Sequence, residues 1–328
     1  MSALAPVLQG FFAKRLTQRQ ASPHTVASYR DTFCLLLRFA QQHLGKPPSK
    51  LEVAEVDASF VGAFLDHLET ERGNAATTRN NRLAAVHSLF SYAALRCPEH
   101  AATIGRVLAI PPKRTDTTIV CFLTRDEVEA LLTSPDRATW PGRRDHLLLL
   151  VAVQTGLRVS ELTGLTRGDV TLGVGANLRC RGKGRKERRT PLTRPTARLI
   201  GDWLTERHGE PTDPLFPNRA SGRLSTDAVA DLLAKHIATA TARCPSLKTK
   251  RVSPHTLRHT AAMSLLHAGI DTSTIALWLG HAGTKATQVY LHADLALKEA
   301  ALARTAPTPA GRARYHPPDH LLTFLESL

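Results

Sequence analysis

The chain has 328 residues, more than a single compact core usually holds, so two domains are predicted. Its 43 lysines and arginines against 28 aspartates and glutamates give a net charge of +15, which favours a polyanion as partner, and nucleic acid over an anionic membrane. The sequence has no run of about 18 apolar residues, no signal-peptide pattern and no CxxC pair among its 5 cysteines, so a cytoplasmic protein with reduced thiols and no membrane span is expected.

The N-terminal third of the chain has apolar side chains at helical spacing in three runs. The first run opens at Ser22, where an N-cap is followed by proline, and stops at Gly45. The second extends from near Asp57 to Gly73, and the third begins near Ala76. We therefore predict an all-helical first part of the chain.

The third of these helices carries polar residues opposite its apolar stripe, namely Arg79, Asn80, Arg82 and His87. Two interpretations stay open. The face is solvated, as most polar helix faces are, or it contacts phosphates, which the positive charge of the whole chain favours.

The helical pattern lapses between Ile110 and Thr124, where two prolines are followed by polar and β-branched residues. This composition makes the segment the best candidate for an interdomain linker. The helical pattern resumes at Thr124, where the string TRDEVEALL predicts a capped helix with acidic residues in its first turn.

A strongly apolar helix is predicted from Arg143 to Gln154, ended by Gly156. Arg158 follows two residues after that stop, and Ser160 is predicted to cap the next turn. This places Arg158 at a junction between two helices. Both a functional arginine and an ordinary surface arginine are compatible with that position.

The string NLRCRGKGRKERRTPL predicts a β-hairpin, because its paired glycines supply the backbone freedom that a tight turn requires. Between Arg179 and Arg194 there are 8 basic residues and 1 acidic residue, so this hairpin is either a solvated surface or a surface that faces an anion. Lys183 lies at the predicted tip, from which it could reach into a groove. Two packing helices are predicted next, at residues 196–208 and 225–241.

Two short helices and a candidate third follow between residues 251 and 290. Ser253 with the next proline predicts a helix start, which places His255 in the first turn and Arg258 three residues later on the same face. The helix stops at Gly269. Its histidine pair at i and i+4, His255 and His259, has the spacing of a zinc helix, but Thr256 stands where that motif has glutamate, so no metal site is predicted. His259 is predicted to be a packing or hydrogen-bonding residue.

The next helix is predicted from the Asp271 cap to Gly280, which ends it, and His281 follows directly after that glycine. Thr284 is predicted to cap a short helix that carries Tyr290. Together with the preceding helix, this gives a basic fork, two imidazoles and a phenol. These groups suit the binding and attack of a phosphodiester without a metal ion.

The chain after Tyr290 is predicted to form one more helix, then a connector rich in proline and glycine, then a short amphipathic piece at residues 319–328. Apolar residues at helical spacing in that piece are Leu321, Leu322, Phe324 and Leu325. The piece is either frayed surface or a segment that docks on a neighbouring subunit.

Five strings occur in order along the chain: TGLRVSEL, GKGRKER, HTLRH, LGH and TQVY. Together they resemble the tyrosine site-specific recombinases, the phage-integrase and Xer-like group. The resemblance implies a catalytic domain at residues 118–304, preceded by a helical, SAM-like core-binding domain at residues 1–112 and followed by a tail at 305–328. The implied fold is mainly α with a small β-hairpin or sheet (α+β), and the implied shape is a C-shaped clamp on DNA.

The resemblance assigns six catalytic positions: Arg158, Lys183, His255, Arg258, His281 and Tyr290. It implies that the two arginines clamp the non-bridging oxygens of the scissile phosphate, with a further hydrogen bond from His281. Fixed cations aimed at those oxygens stabilise the charge that phosphoryl transfer spreads over them.

The same resemblance implies that Tyr290 attacks phosphorus and becomes linked to the DNA 3′ end. His255 would be an acid–base partner near this nucleophile, and Lys183 would protonate the departing 5′ oxygen. Glu161 matches an acidic position with a supporting role.

The function implied is a site-specific recombinase or integrase that cleaves and rejoins double-stranded DNA, for a mobile element, without metal, ATP or another cofactor. The implied assembly is a homo-tetramer on DNA or a hetero-tetramer with a sister recombinase. Three alternatives stay open: Xer-like resolution of chromosome or plasmid dimers, a topoisomerase-like relaxase, and a non-catalytic DNA-binding regulator.

Overall fold

The computed structural model describes residues 2–115, 120–182, 187–281, 287 and 290. The described residues are mainly helical with one three-stranded antiparallel sheet, so the predicted fold class is confirmed. Four predictions lie outside the described residues, namely those for the hairpin tip with Lys183, the Thr284 cap, the helix after Tyr290 and the C-terminal tail.

The chain divides into two compact units, Met1–Thr117 and Thr118–Leu328. Each unit has its own buried hydrophobic core in the described residues. The finer boundaries predicted from the sequence, at residues 112, 304 and 305, stay a prediction.

The first unit is helical. Its α-helices are α1 (Leu4–Gly10), α2 (Pro23–Leu44), α3 (Ala58–Thr70), α4 (Ala76–Ala93) and α5 (Ala101–Leu108), and α1 continues into a π-helical segment, Phe11–Leu16. The three predicted runs correspond to α2, α3 and α4 and are confirmed. The hydroxyl of Ser22 accepts a hydrogen bond from the N–H of Thr25 at 3.1 Å, and Gly45 ends α2 with φ +64°.

Aromatic rings dominate the core of the first unit. Phe11 is fully buried and contacts Tyr29, Phe33 and Tyr92 at centroid distances of 6.0, 6.0 and 5.8 Å. Phe64 is also fully buried and lies 5.7 Å from Phe39. Such large side chains contribute most to the burial free energy of a small helical unit.

The polar face of α4 is bonded to the rest of the first unit. Arg79 is only 6% exposed and donates from Nη1 to the Pro111 carbonyl at 3.2 Å, so the solvated-face interpretation is wrong for this residue. Asn80 donates to the Lys113 carbonyl and accepts from the Lys113 N–H, at 2.8 and 2.9 Å. His87 is bonded to the Val107 carbonyl at 3.1 Å. These bonds hold the chain that leaves α5, and phosphate contact by this face stays a hypothesis.

The second unit contains seven α-helices and three strands in its described residues. They are α6 (Arg125–Leu132), α7 (Trp140–Thr155), α8 (Val159–Gly164), β1 (Val170–Thr171), β2 (Asn177–Arg181), β3 (Glu187–Pro191), α9 (Arg194–Glu206), α10 (Thr226–Thr241), α11 (Pro254–His267) and α12 (Thr272–Leu279). The predicted helices and the predicted hairpin strands are confirmed. Thr287 and Tyr290 are also helical.

Two local predictions need correction. Helix α7 begins at Trp140 rather than at Arg143, because Thr139 accepts from the Gly142 N–H and a proline occupies the first turn. Ser160 does not cap α8 but lies inside it. The cap position is Arg158, whose N–H donates to the Glu161 carboxylate at 2.8 Å. An ionised carboxylate three residues into the helix takes the place of a capping hydroxyl.

Strands β2 and β3 pair in antiparallel register, with Cys180 opposite Arg188 and Leu178 opposite Thr190. Directly opposed residues share one face of a sheet, so these four side chains point inward. Leu178, Thr190 and Cys180 are 0%, 1% and 3% exposed. Arg188 therefore lies on the buried face of the sheet, where a charge requires a partner.

Helix α7 is mostly buried and packs against α11. It ends at Gly156, which has φ +63°. A Cβ atom at this position would lie 2.6 Å from Leu279 Cδ2 and 3.1 Å from Ala261 Cβ. Glycine therefore allows the end of α7 to approach both α11 and α12. The candidate site lies where these three helices meet.

Within the described part of the chain, we find no helix with both the length and the apolar character needed to cross a membrane.

Candidate active site

Arg258 lies in α11 and is 5% exposed. Its guanidinium donates from Nη1 to the Gly156 carbonyl at 2.6 Å and from Nη2 to the Leu279 carbonyl at 2.7 Å. Burial, followed by the positive charge of Arg158, lowers the pKa of Arg258 to about 10. The group stays a cation at neutral pH. Each Nη atom has a second N–H, so the fork is fixed by the ends of two helices and can still donate to an anion.

Arg158 lies at the start of α8, beside the same helix end. It donates from Nη1 to Glu161 Oε1 at 2.8 Å and from Nη2 to the Gly280 carbonyl at 3.3 Å. The side chain is 28% exposed. Arg158 is thus held from two sides but remains accessible, and its junction position between helices is confirmed.

Glu161 connects Arg158 to the sheet. Its two oxygens accept from Arg188 Nη1 and Nη2 at 3.0 and 2.8 Å, in addition to the bonds from Arg158. Burial raises the pKa of Glu161, but the hydrogen bonds from Arg188 and from the Arg158 N–H, with the charges of both arginines, outweigh burial and hold the pKa below its usual value. The carboxylate is therefore ionised at neutral pH and orients both arginines.

His281 follows Gly280, whose φ of +64° ends α12 as predicted. Its Nδ1 lies 2.8 Å from Thr287 Oγ1. Burial and then the charges of Arg258 and Arg158 lower the pKa of His281 to about 4. The ring is neutral at pH 7. With its hydrogen on Nε2, Nδ1 accepts from the threonine and Nε2 remains available to donate to an oxygen of a bound anion.

Tyr290 is 2% exposed and packs in an apolar cluster with residues of α11 and α12, including Leu266 and Leu279. Burial raises the pKa of its phenol, and the charges of Arg258 and Arg158 partly offset this rise. The phenol therefore lies within electrostatic range of both guanidinium groups.

Two residues of this site were not predicted from the sequence as part of it. The first is His259, whose Nδ1 lies 3.1 Å from Tyr290 Oη; only a general hydrogen-bonding role was expected of it. The second is Arg188, the inward arginine of β3. A careful register for the hairpin, anchored on Leu178, would have placed Arg188 on the buried face.

His255 lies in the first turn of α11 and is exposed. In the described residues its side chain makes no hydrogen bond, and it lies close enough to His259 to contribute electrostatically to the lowered pKa of that ring. The structure thus brings Arg158, Arg258, His281 and Tyr290 together and leaves His255 at the rim. Lys183 lies outside the described residues.

Two family descriptions of known proteins match this chain. Residues 121–296 match the profile of the Phage integrase family, and residues 8–96 match the phage integrase N-terminal SAM-like domain. The chain belongs to the phage integrase family. The resemblance predicted from the five strings is confirmed.

Relatives of this integrase-family chain are recombinases. It is 56% identical over 328 residues to a protein of Sinorhizobium fredii named as an integrase/recombinase, y4rC, covering 100% of this chain and 99% of that protein. It is 33% identical over 296 residues to the tyrosine recombinase XerC of Pelobacter propionicus, covering 89% and 93%. The family is thus that of the tyrosine-type site-specific recombinases.

Among solved structures, the XerH site-specific recombinase in a pre-cleavage complex with its difH substrate aligns with a TM-score of 0.64 at 25% identity. The alignment covers 86% of this chain and 80% of XerH. Both domain types of the family are therefore present in this integrase-family chain.

Among the described residues, no cluster of three or more histidine, cysteine, aspartate or glutamate side chains is arranged to hold a metal ion.

Proposed function

We propose that this protein cleaves and rejoins double-stranded DNA at specific sites through a covalent bond between Tyr290 and the DNA 3′ phosphate. The observation that carries this proposal is the location of Tyr290, buried beside two fixed arginine cations and a neutral histidine. These surroundings suit a nucleophilic phenol, because the neighbouring cations would stabilise both the attacked phosphate and the developing phenolate.

In this proposal Arg258 and Arg158 bind the non-bridging oxygens of the scissile phosphate, and His281 donates a hydrogen bond from Nε2 to the same group. Lys183 would supply a proton to the departing 5′ oxygen. Removal of one such donor from an enzyme commonly slows catalysis about 100- to 1000-fold. The phosphotyrosine retains the energy of the broken ester, so rejoining requires neither ATP nor a metal ion.

Two observations support DNA as the partner: the positive charge of the chain and its similarity to a recombinase solved with its substrate. The chain has a net charge of +15, and Arg179, Arg181 and Arg189 lie on the outward face of β2 and β3. The related XerH was solved with its difH substrate bound. We also propose that the protein acts as a tetramer on two DNA sites, in the cytoplasm where its DNA lies.

The cleavage chemistry is tested with nicked suicide duplexes tiled across the DNA that flanks the gene. A nick beside the cleavage site releases a short strand and traps the covalent complex. We expect the wild-type protein to form an SDS-resistant adduct with one of these duplexes, and Tyr290→Phe to bind the same duplex without forming it.

The matched control is Tyr29→Phe, which removes a hydroxyl in the first unit and leaves the candidate site intact. It is expected to form the adduct at the wild-type rate. An adduct that persists in Tyr290→Phe would remove Tyr290 from the role of nucleophile.

The biological role proposed is recombination of a mobile element, which the name of the relative from S. fredii supports. Resolution of chromosome or plasmid dimers is a second candidate, because XerC proteins are also among the relatives. Recombination between two cloned copies of the cleaved site, with and without host recombinases present, distinguishes the two. Cleavage of any supercoiled DNA with no preferred site would favour a relaxase instead.

A further inference from the structure

The hydroxyl of Tyr290 has one hydrogen-bond partner among the residues that the structure describes, the imidazole of His259. Tyr290 Oη lies 3.1 Å from His259 Nδ1, and the two rings meet edge to face with centroids 5.6 Å apart. His255, which the family resemblance assigned as the acid–base partner, lies one turn earlier on α11 and is exposed. The contact with the nucleophile is therefore made by a different histidine.

We propose that His259 is the base that takes the phenolic proton of Tyr290 during DNA cleavage and returns it during rejoining. This inference rests on the proposed function, since it concerns the same nucleophile. A base must lie within hydrogen-bond reach of the proton that it removes, and the observed separation of 3.1 Å meets that requirement without a conformational change.

The protonation state of His259 suits an acceptor. Burial first, then electrostatic interaction with His255 and Arg258, lower the pKa of His259 below its usual value. The ring is therefore neutral at pH 7. In the tautomer with hydrogen on Nε2, Nδ1 has a free lone pair directed at the phenol.

Four titratable or charged groups face this ring from the elements around it. His255 and Arg258 are on the same helix, Tyr290 is the bonded partner, and His281 follows α12 and has its own pKa lowered in part by His259. All except the phenol are cationic when protonated, so a positive charge on His259 is unfavourable until negative charge develops beside it.

Negative charge develops as the reaction proceeds. In the resting site the proton stays on the phenol, because burial raises the pKa of Tyr290. As the Tyr290 Oη–phosphorus bond forms, electron density leaves the phenolic oxygen and its O–H becomes a stronger acid. The proton moves to His259 Nδ1, the bond from phosphorus to the 5′ oxygen breaks, and that oxygen leaves with a proton from another donor. Rejoining reverses each transfer, so protons and electrons balance.

Two substitutions separate a base from a residue that only positions the phenol. His259→Gln keeps an amide that can hydrogen-bond to Tyr290 but cannot accept its proton. His259→Phe keeps the edge-to-face ring contact alone. Loss of a general base commonly slows a step about 100-fold or more, so both variants are expected to lose that much of the adduct-formation rate under single-turnover conditions. The control is His208→Gln, at an exposed histidine just after the end of α9, which is expected to retain the rate.

The pH profile gives a readout that positioning alone would not change. Below the pKa of His259 the ring is a cation and Nδ1 has no free lone pair, so the wild-type rate is expected to fall as the pH decreases through that value, which lies below about 6.5. In His259→Gln this acid limb is expected to disappear. Protonation of His281 leaves its Nε2–H in place, so His281 is not expected to produce such a limb.

A ring-fluorinated tyrosine at position 290 provides a second test, because fluorine lowers the pKa of the phenol and weakens its dependence on a base. It is expected to recover part of the rate lost in His259→Gln. If His259→Gln does not fold, the fluorinated residue at position 290 of the otherwise wild-type protein should reduce the loss of rate across the acid limb, and a limb of unchanged depth counts against the proposal.

The outcomes distinguish this inference from the proposed function. If wild type forms no adduct with any duplex, the proposed function fails. If wild type forms the adduct and His259→Gln forms it as fast with the same acid limb, DNA cleavage stands and His259 is not its base.

Discussion

At the scale of single residues, Gly156 determines where the Arg258 guanidinium is held. Its carbonyl accepts a hydrogen bond from Arg258 Nη1. Its φ of +63° ends α7 in the left-handed conformation that glycine adopts readily. The Cβ of an alanine here would be 2.6 Å from Leu279 Cδ2, and Leu279 is 0% exposed, so its side chain has little room to move. A substitution therefore combines backbone strain with overpacking.

We predict that Gly156→Ala lowers the free energy of unfolding of the second unit by about 1 kcal/mol for the left-handed backbone and about 1–3 kcal/mol more for overpacking. The matched control is Gly269→Ala, because Gly269 has φ +80° and a Cβ atom there would have no neighbouring atom within 4 Å. It should lose only the backbone contribution. Urea unfolding of both variants measures the difference, and equal losses would show that the close approach at Gly156 is unimportant.

The sequence predicted the candidate site residues but not all of the contacts that the structure shows among them. Helix caps and stops around Ser253, Gly269 and Gly280 are local signals, so they placed Arg258 and His281 correctly. The bond between His259 and Tyr290 joins residues 31 positions apart, and no local pattern specifies it. The error at Ser160 has a similar origin, because the partner of the α8 terminus is a buried carboxylate whose charge state depends on tertiary contacts.

At the scale of elements, the inward face of β3 is tied to the start of α8 by an ion pair. Arg188 and Glu161 have side chains only 13% and 4% exposed, and the carboxylate also holds Arg158. The register of the hairpin therefore determines the position of Arg158, the arginine that we propose binds the scissile phosphate. The sequence predicted both strands, but β1 has only two residues and thus no periodicity to detect.

We predict that Arg188→Met destabilises the second unit by about 3–5 kcal/mol, since it leaves a buried carboxylate with one cation fewer. Arg181→Met is the matched control on the same hairpin, because the ion pair of Arg181 with Glu187 is exposed, at 71% and 51%, and should contribute about 1 kcal/mol or less. Unfolding free energies of both variants test this, and similar losses in the two variants would show that the burial of the Arg188–Glu161 pair is unimportant.

The loss of stability in Arg188→Met is expected to depend on pH. The pKa of Glu161 is lowered in the folded protein, so its contribution to stability is present above the unfolded value near 4.5 and is lost as the pH falls through the folded value. The stability difference between wild type and Arg188→Met should therefore narrow in acid. A difference that is constant with pH would mean that the ion pair is not its cause.

At the scale of the whole molecule, each of the two units contains the features of an independent domain. The first unit buries Phe11, Phe64 and Phe90 in a core of its own, and the second buries a separate cluster around α7. A chain with two self-contained cores is expected to unfold in two steps rather than one. The family match agrees, since the N-terminal SAM-like profile and the catalytic profile are separate.

We therefore predict that residues 1–117, expressed alone, fold cooperatively into a helical domain, and that the full chain shows two unfolding transitions. Phe64→Ala should identify the first of them, because Phe64 is fully buried and its truncation costs about 3–5 kcal/mol. In the full chain this variant should move one transition and leave the other in place, as followed by calorimetry. A single transition that moves as a whole would mean that the two cores depend on each other, because destabilisation of one core would then be shared by the entire chain.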